Sequence, residues 1–259
     1  MKRHTSLLMA MIAASIFLFF LLNLLIGSVD IPLSSVVNIL LGGEEQSVVW
    51  QNIVLKSRVP QALTALVAGA GLSISGLQMQ TVFRNPLAGP SVLGISSGAS
   101  LGVAFAVLIS GSIGGVALSN MGYFGEMALT ISATIGAFAV MAIIVYVSQK
   151  VRGNVTLLII GVMIGYVANA IIGVLKYFSV EEDIRAYVIW GLGSFSRVSG
   201  DQMVLFVCLM LVLMPLSFLL IKTMNLLLLG DSYARNLGLH IKRARLLVIV
   251  CSGVLVAIV

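Results

Sequence analysis

The side chains able to do covalent or metal chemistry are few and scattered. His4 and His240, the two histidines, lie at a terminus and in a polar segment far along the chain, and Cys208 and Cys251 each sit inside an apolar run. Catalysis or metal ligation needs His, Asp, Glu or Cys groups that can act together, and no such spacing is present. Nor is there a GxxxxGK[ST] loop to cradle a nucleotide phosphate. The chain therefore reads as no enzyme, with no cofactor and no metal site.

The chemistry that remains is hydrogen bonding and close backbone approach within an apolar chain. At Arg84-Asn85-Pro86 an uncharged run breaks abruptly. A residue before proline is pushed out of the α region, so a helix should end near Phe83 or Arg84. From there Gly94, Gly98 and Gly102 recur every fourth residue and place three glycines on one helical face, where a neighbouring backbone can come close. Gly69, Ser73 and Gly76, with Gly71 and Ser75, give the upstream helix small faces of its own, and the two helices are expected to flank one polar corner. The four-residue repeat returns at Gly161, Gly165, Asn169 and Gly173. An amide such as that of Asn169 in mid-membrane needs a partner or water, which leaves a helix-to-helix hydrogen bond and a pathway-lining role equally open. A second polar segment reads MNLLLLGDSYARNLGLHIKRARLL. Asp231 after Gly230 can cap a short helix starting at Ser232, and Gly238 suits its carboxyl end. Lys242, Arg243 and Arg245 could meet anionic lipid at a membrane surface.

The elements that must position these residues are membrane spans. Hydrophobic residues make up 59% of the chain and charged residues 9%, with a mean hydropathy of +1.13, against roughly one-quarter charged in a soluble domain. The fold class is all-α, a polytopic membrane protein with about seven transmembrane helices. They are expected at Leu7 to Gly27, Val59 to Phe83, Val92 to Ser110, Met127 to Gln149, Val155 to Tyr177, Met203 to Ile221 with Pro215 as a kink, and from Leu246 onward. The first apolar run is too long for a cleaved signal peptide and no small-x-small site closes it, so it reads as a retained span. Ser28 to Ser57 reads as an extramembrane loop with an amphipathic piece near Leu33 to Leu41, Ser110 to Glu126 as a loop or re-entrant segment, and Ser179 to Gln202 as a polar segment between spans. Residues 1–259 form a single transmembrane domain, within which 222–245 is a cytoplasmic segment.

The net charge of +6 finds its explanation in orientation, not in nucleic acid, for which no surface of interleaved aromatic and basic residues exists. With Met1 in the cytoplasm, ten of the 15 basic residues and one of the nine acidic residues fall inside. An ion-coupled secondary carrier would place ionisable groups within its spans, and none lies well inside one here.

The ordered run RxP, a small-residue helix carrying glutamine, then RNPLAxPxxLGxSxGA over residues 84–99, resembles the FecCD-type permease subunits of bacterial ABC importers for iron-siderophores, haem and cobalamin. The resemblance implies a bacterial plasma or inner membrane location, a cytoplasmic ATPase partner, an extracytoplasmic substrate-binding protein and a second permease copy, with lipid around them. It implies that LGDSYARNLGLHIKRAR is the segment that couples to the ATPase, with Gly230, Asp231, Ala234, Leu237 and Gly238 on the family pattern. It further implies that Asn85, Leu87, Asn154 and Val155 narrow the cytoplasmic end of the pathway as a gate. Arg58, Arg185 and Arg197 on the outer side are candidates for docking the binding protein. Gln61 stands where the family often has a second basic residue. Family members usually have about ten spans, and a later glycine-rich Pro-His motif is absent, so the chain is expected to correspond to the amino-terminal three-quarters of a typical member.

Overall fold

The structure, a computed structural model, describes residues 2–43, 47–109, 123–151, 153–196, 198 and 200–259. Arg197, Arg152, Glu44, Glu45 and nearly all of the expected loop from Ser110 to Glu126 lie outside the described residues. Long uncharged apolar runs fold as helices because a backbone in hydrocarbon must satisfy its own hydrogen bonds. Among the described residues the chain is helical throughout, with no strand.

The helices, in order, are α1 (Lys2–Leu25), α2 (Leu33–Leu40), α3 (Val48–Ile53), α4 (Val59–Phe83), α5 (Ile95–Ala104), α6 (Tyr123–Lys150), α7 (Asn154–Phe178), α8 (Glu181–Gly191), α9 (Gly200–Phe218), α10 (Ile221–Leu228), α11 (Asp231–Asn236) and α12 (Ile241–Ile258). Among the described residues, five stretches are long and apolar enough to cross a membrane: His4–Leu25, Val48–Phe83, Phe124–Lys150, Val155–Phe178 and Gly200–Phe218. The expected third span is a shorter apolar helix, Ile95–Ile109, whose last five residues open into a wider π turn. The expected seventh, α12, carries Lys242, Arg243 and Arg245 in its opening turns.

Two stretches read as polar segments are more helical than the sequence suggests. The second span begins well before Val59, because α3 runs through a π turn at Val54–Arg58 directly into α4. Within Ser179 to Gln202, α8 forms from a charged first turn of Glu181, Glu182 and Asp183, where acidic side chains favour a helix amino terminus.

The chain divides into two compact units. The first, Met1–Gly69 with Ser194–Leu209, has a small core of Ile31, Val36, Ile39 and Val54. Most of α1 stands clear of it, with Leu7, Leu8, Phe17 and Phe19 exposed as befits a lipid-facing helix. The second unit, Ala70–Gly193 with Met210–Val259, is built on Met79, Leu93, Ile95, Ile144, Leu227 and Ile249, and a second cluster there gathers Val103, Leu108, Ile172 and Tyr187.

Candidate functional site

The polar corner after α4 is a helix cap built without glycine. The Asn85 N–H donates to the Gln80 carbonyl (3.2 Å) and the Arg84 N–H to that of Thr81 (3.3 Å), the paired bonds of a Schellman motif. The left-handed position that this motif requires falls on Arg84, with φ 48°. A non-glycine residue there costs about 1–3 kcal/mol. Its side chain supplies the compensation: Nε and Nη2 donate to the Leu227 carbonyl at 3.0 and 2.8 Å, and Nη2 also reaches Asp231 Oδ1 at 2.5 Å. Beyond the cap, the Asn85 side chain accepts the Leu87 N–H (2.9 Å) and Gln80 donates to the Pro86 carbonyl (3.0 Å). This fixes a tight turn whose tip, Leu87, is 87% exposed.

A single 3-10 turn, Pro90–Leu93, then leads to Gly94, whose φ of +72° turns the chain into α5. A Cβ on Gly94 would lie 2.9 Å from the Gly161 carbonyl, so α7 passes directly over this residue. The glycine face of α5 meets α6 and α7. A Cβ on Gly98 would sit 2.6 Å from the Gly136 carbonyl, Gly102 packs on the Ser132 carbonyl, and Gly165 faces Ser97. Sequence reading does not single out Gly136, which stands outside any four-residue glycine repeat. Asn169 is exposed and borders a hollow of about 210 Å³ lined also by Ser91, Gly94, Ser97, Gly161 and Gly165.

The small residues of α4 have another use. The hydroxyls of Ser75 and Ser252 on α12 lie 2.5 Å apart, both buried, and Cys251 receives Gln78 Nε2 at 3.7 Å and lies 3.1 Å from the Ser217 hydroxyl. Buried polar contacts of this kind join helices in an apolar setting. Gly71, Gly76 and Ser75 are the only hint of it in the sequence.

In the second polar segment, α11 ends in another Schellman motif. Leu239 N–H donates to Ala234 and Gly238 N–H to Arg235, both at 2.9 Å, with Gly238 at φ +84°. Asp231 departs from expectation. Its carboxylate makes no cap hydrogen bond, and the cap residue is Gly230. Arg84 and Arg245 outcompete the backbone amides, because Arg245 Nη2 takes Oδ2 at 2.6 Å while Arg84 holds Oδ1. Ser148, Val151, Gly153, Asp231, Arg235, Lys242 and Arg245 line one cavity of about 480 Å³. The three turns assigned to the cytoplasm thus gather at one end of the second unit. Val155, at the start of α7, is 69% exposed, and Asn154 opens that helix. Tyr233 on α11 and Leu237 just after it are exposed, and Ala234 is buried.

At the opposite end of that unit, the Ser179 hydroxyl donates to the Leu108 carbonyl (3.2 Å) and Lys176 Nζ lies 4.7 Å from the Tyr187 ring. Asp183 is 2% exposed, and its Oδ2 has no hydrogen-bond partner. Burial, and the Glu182 charge second to it, push the Asp183 carboxyl above its usual range. Arg185 is exposed on α8. In the first unit Arg58 is not available for docking: it is 5% exposed and donates to the carbonyls of Leu24 (2.9 Å), Leu25 (2.8 Å) and Val29. Its cation closes the carboxyl end of α1, where the last carbonyls lack helical partners. Among the described residues no group of His, Cys, Asp and Glu is arranged to hold a metal ion.

The sequence model of one family, described as the FecCD transport family, matches residues 15–259, a span that includes the positive-φ corner, the glycine face of α5 and the short helix α11. The chain belongs to the FecCD transport family. Curated relatives of this FecCD chain include the hemin transport system permease protein HmuU of Yersinia pestis, 34% identical over 209 residues, covering 80% of this chain and 59% of that protein. A probable iron chelatin transport system permease protein of Helicobacter pylori is 38% identical over 205 residues, covering 78% and 58%. The vitamin B12 import system permease protein BtuC of Klebsiella pneumoniae is 34% identical over 216 residues, covering 83% and 62%. The chain thus spans about three-fifths of the length of the curated relatives it matches. Among solved structures, an inward-facing conformation of a metal-chelate type ABC transporter superimposes with a TM-score of 0.76 at 28% identity, covering 96% of this chain and 74% of the other.

Proposed function

We propose that this chain is a permease subunit of an ATP-driven importer, a multi-pass protein of the bacterial plasma or inner membrane with its amino terminus in the cytoplasm, and that its cargo is a metal chelate. An iron-siderophore comes first, with haem and cobalamin as the alternatives within the same family. The observation that carries this reading is the family match from residue 15 to 259, which spans both polar corners. The relatives' names, hemin, iron chelatin and vitamin B12, support a large chelated cargo without choosing among the three.

In this reading a separate ATPase docks on the segment of Gly230, Asp231, Ala234, Leu237 and Gly238. The exposed apolar side chains of Tyr233 and Leu237 suit a groove on such a partner. A second permease copy faces the first across the pathway. Asn85, Leu87, Asn154 and Val155 form the cytoplasmic gate between the copies, and Gly94, Gly98, Gly102, Gly161, Gly165 and Asn169 keep the neighbouring helices close and small-sided. On the outer face Arg185 and Arg197 remain the candidates to meet a substrate-binding protein. Exposed ion pairs are worth about 0.2–1 kcal/mol each, so they serve orientation more than affinity.

Uptake of labelled ferric siderophore, haem and cobalamin, in cells with and without the gene and with and without ATP depletion, tests the reading. ATP-dependent loss of one cargo is the expected result and names it. Uptake that persists without ATP would replace the importer with a secondary carrier, and loss of none would remove the whole cargo class.

A further inference from the structure

The Asp231 carboxylate is where three elements meet. It opens α11, receives Arg84 from the cap of α4 on one oxygen and receives Arg245 from the second turn of α12 on the other. Two features separate this from an ordinary surface ion pair. Arg84 is the one non-glycine residue with positive φ among the described residues, at a position where glycine or asparagine would sit with less strain. The same guanidinium also clasps the Leu227 carbonyl near the end of α10. It therefore grips both sides of Gly230, which joins α10 to α11 at φ +112° with open space around it. Gly230 can turn, and Arg84 is attached on either side of the turn. Three residues after Arg84 stands the exposed tip of the corner, Leu87.

We infer that Arg84 and Asp231 form the link through which a displacement of α11 is passed to the Asn85–Leu87 corner, with Arg245 as the arm that holds Asp231 to α12. The inference rests on the coupling and gate reading above and names, within it, the residues that join the two. Both are positioning residues: they move the gate without touching cargo or nucleotide. Charge-assisted bonds that fork from one guanidinium fix direction as well as distance, which a single lysine could not do.

The test uses the full-length permease assembled with its ATPase in proteoliposomes and carrying Leu87→Cys. The readout is the change in maleimide labelling of that cysteine on adding ATP. Arg84→Gly deletes the guanidinium while giving the left-handed cap the residue it prefers, and Asp231→Asn keeps the shape and removes the charge. Each should reduce the ATP-dependent change roughly fivefold or more, and the double variant should be no worse than either alone, as residues acting through one link are non-additive. Arg84→Gly labelling that follows ATP as in the parent would overturn the inference, and so would effects that multiply in the double variant, since these would be two separate packing defects. Where Arg84→Gly does not assemble with the ATPase, Asp231→Asn, which leaves the cap of α4 intact, decides the matter alone: with the ATPase still bound, a lost ATP-dependent labelling change supports the link, and labelling that follows ATP as in the parent, or loss of the ATPase together with the labelling, overturns it. A parent whose labelling at position 87 ignores ATP would remove the gate reading, and this inference with it, before any variant is made.

Discussion

Arg58 and Asp183 are both charged, both buried and opposite in their accounts. Arg58 meets three carbonyls at the end of α1. Arg58→Gln should therefore destabilise the protein by about 1–3 kcal/mol, the cost of stranding buried acceptors, seen as a lower midpoint in thermal unfolding in detergent. A docking role would instead weaken binding-protein affinity and leave the midpoint unchanged. Asp183 has no such partner on Oδ2, and burial raises its carboxyl. A carboxyl raised in the folded state binds its proton more tightly there than in the unfolded chain. Stability is thus greatest below the unfolded value of about 3.9 and falls as pH rises through the folded one. Asp183→Asn should raise the unfolding midpoint at pH 7, with the gain shrinking as pH is lowered toward about 4; a gain independent of pH would exclude the charge as its cause.

At the scale of elements, the glycines that recur every fourth residue are alike in sequence and unlike in space. Gly98 lies against the Gly136 carbonyl of α6, whereas nothing stands within 4 Å of a Cβ placed on Gly173. Gly98→Leu should cost at least about 1–3 kcal/mol through overpacking, while Gly173→Ala should be neutral or gain up to about 1 kcal/mol of helix propensity. Unfolding midpoints of the two variants, compared side by side, test this directly. The spacing made a small-residue face legible, and it did locate the tight face of α5. Which helix fills that face was not legible, because a four-residue repeat describes one helix and carries no information about its neighbour. The caps divide in the same way. Gly238 marks the end of α11 by residue type, but the equivalent position after α4 is Arg84, which no propensity would nominate and which is held there by Leu227 and Asp231, 143 and 147 residues away.

At the scale of the whole molecule, Leu87 and Val155 are exposed apolar side chains near the polar end of the second unit. If two copies face one another there, cysteines at position 87 of both should cross-link and block transport, and transport that continues through a completed cross-link would rule out a gate at this residue. Reporter fusions at Met1 and within 222–245 should both read out on the cytoplasmic side, and opposite sides would contradict the topology. Within the second unit, Arg84 of the first turn, Ser148, Val151 and Gly153 of the second, and Asp231 and Arg245 of the third lie together.

By itself the sequence determined the all-helical class, the break at Arg84-Asn85-Pro86, the helix end at Gly238 and the family, because apolar run length, proline and glycine act locally and a motif is a matter of order along the chain. It could not determine that Asp231 would forgo its own helix cap for two arginines, or that Arg58 would turn inward. Those outcomes depend on which groups the tertiary fold brings within reach, and a charged donor at 2.5–2.6 Å is preferred to a local amide only where the fold delivers it.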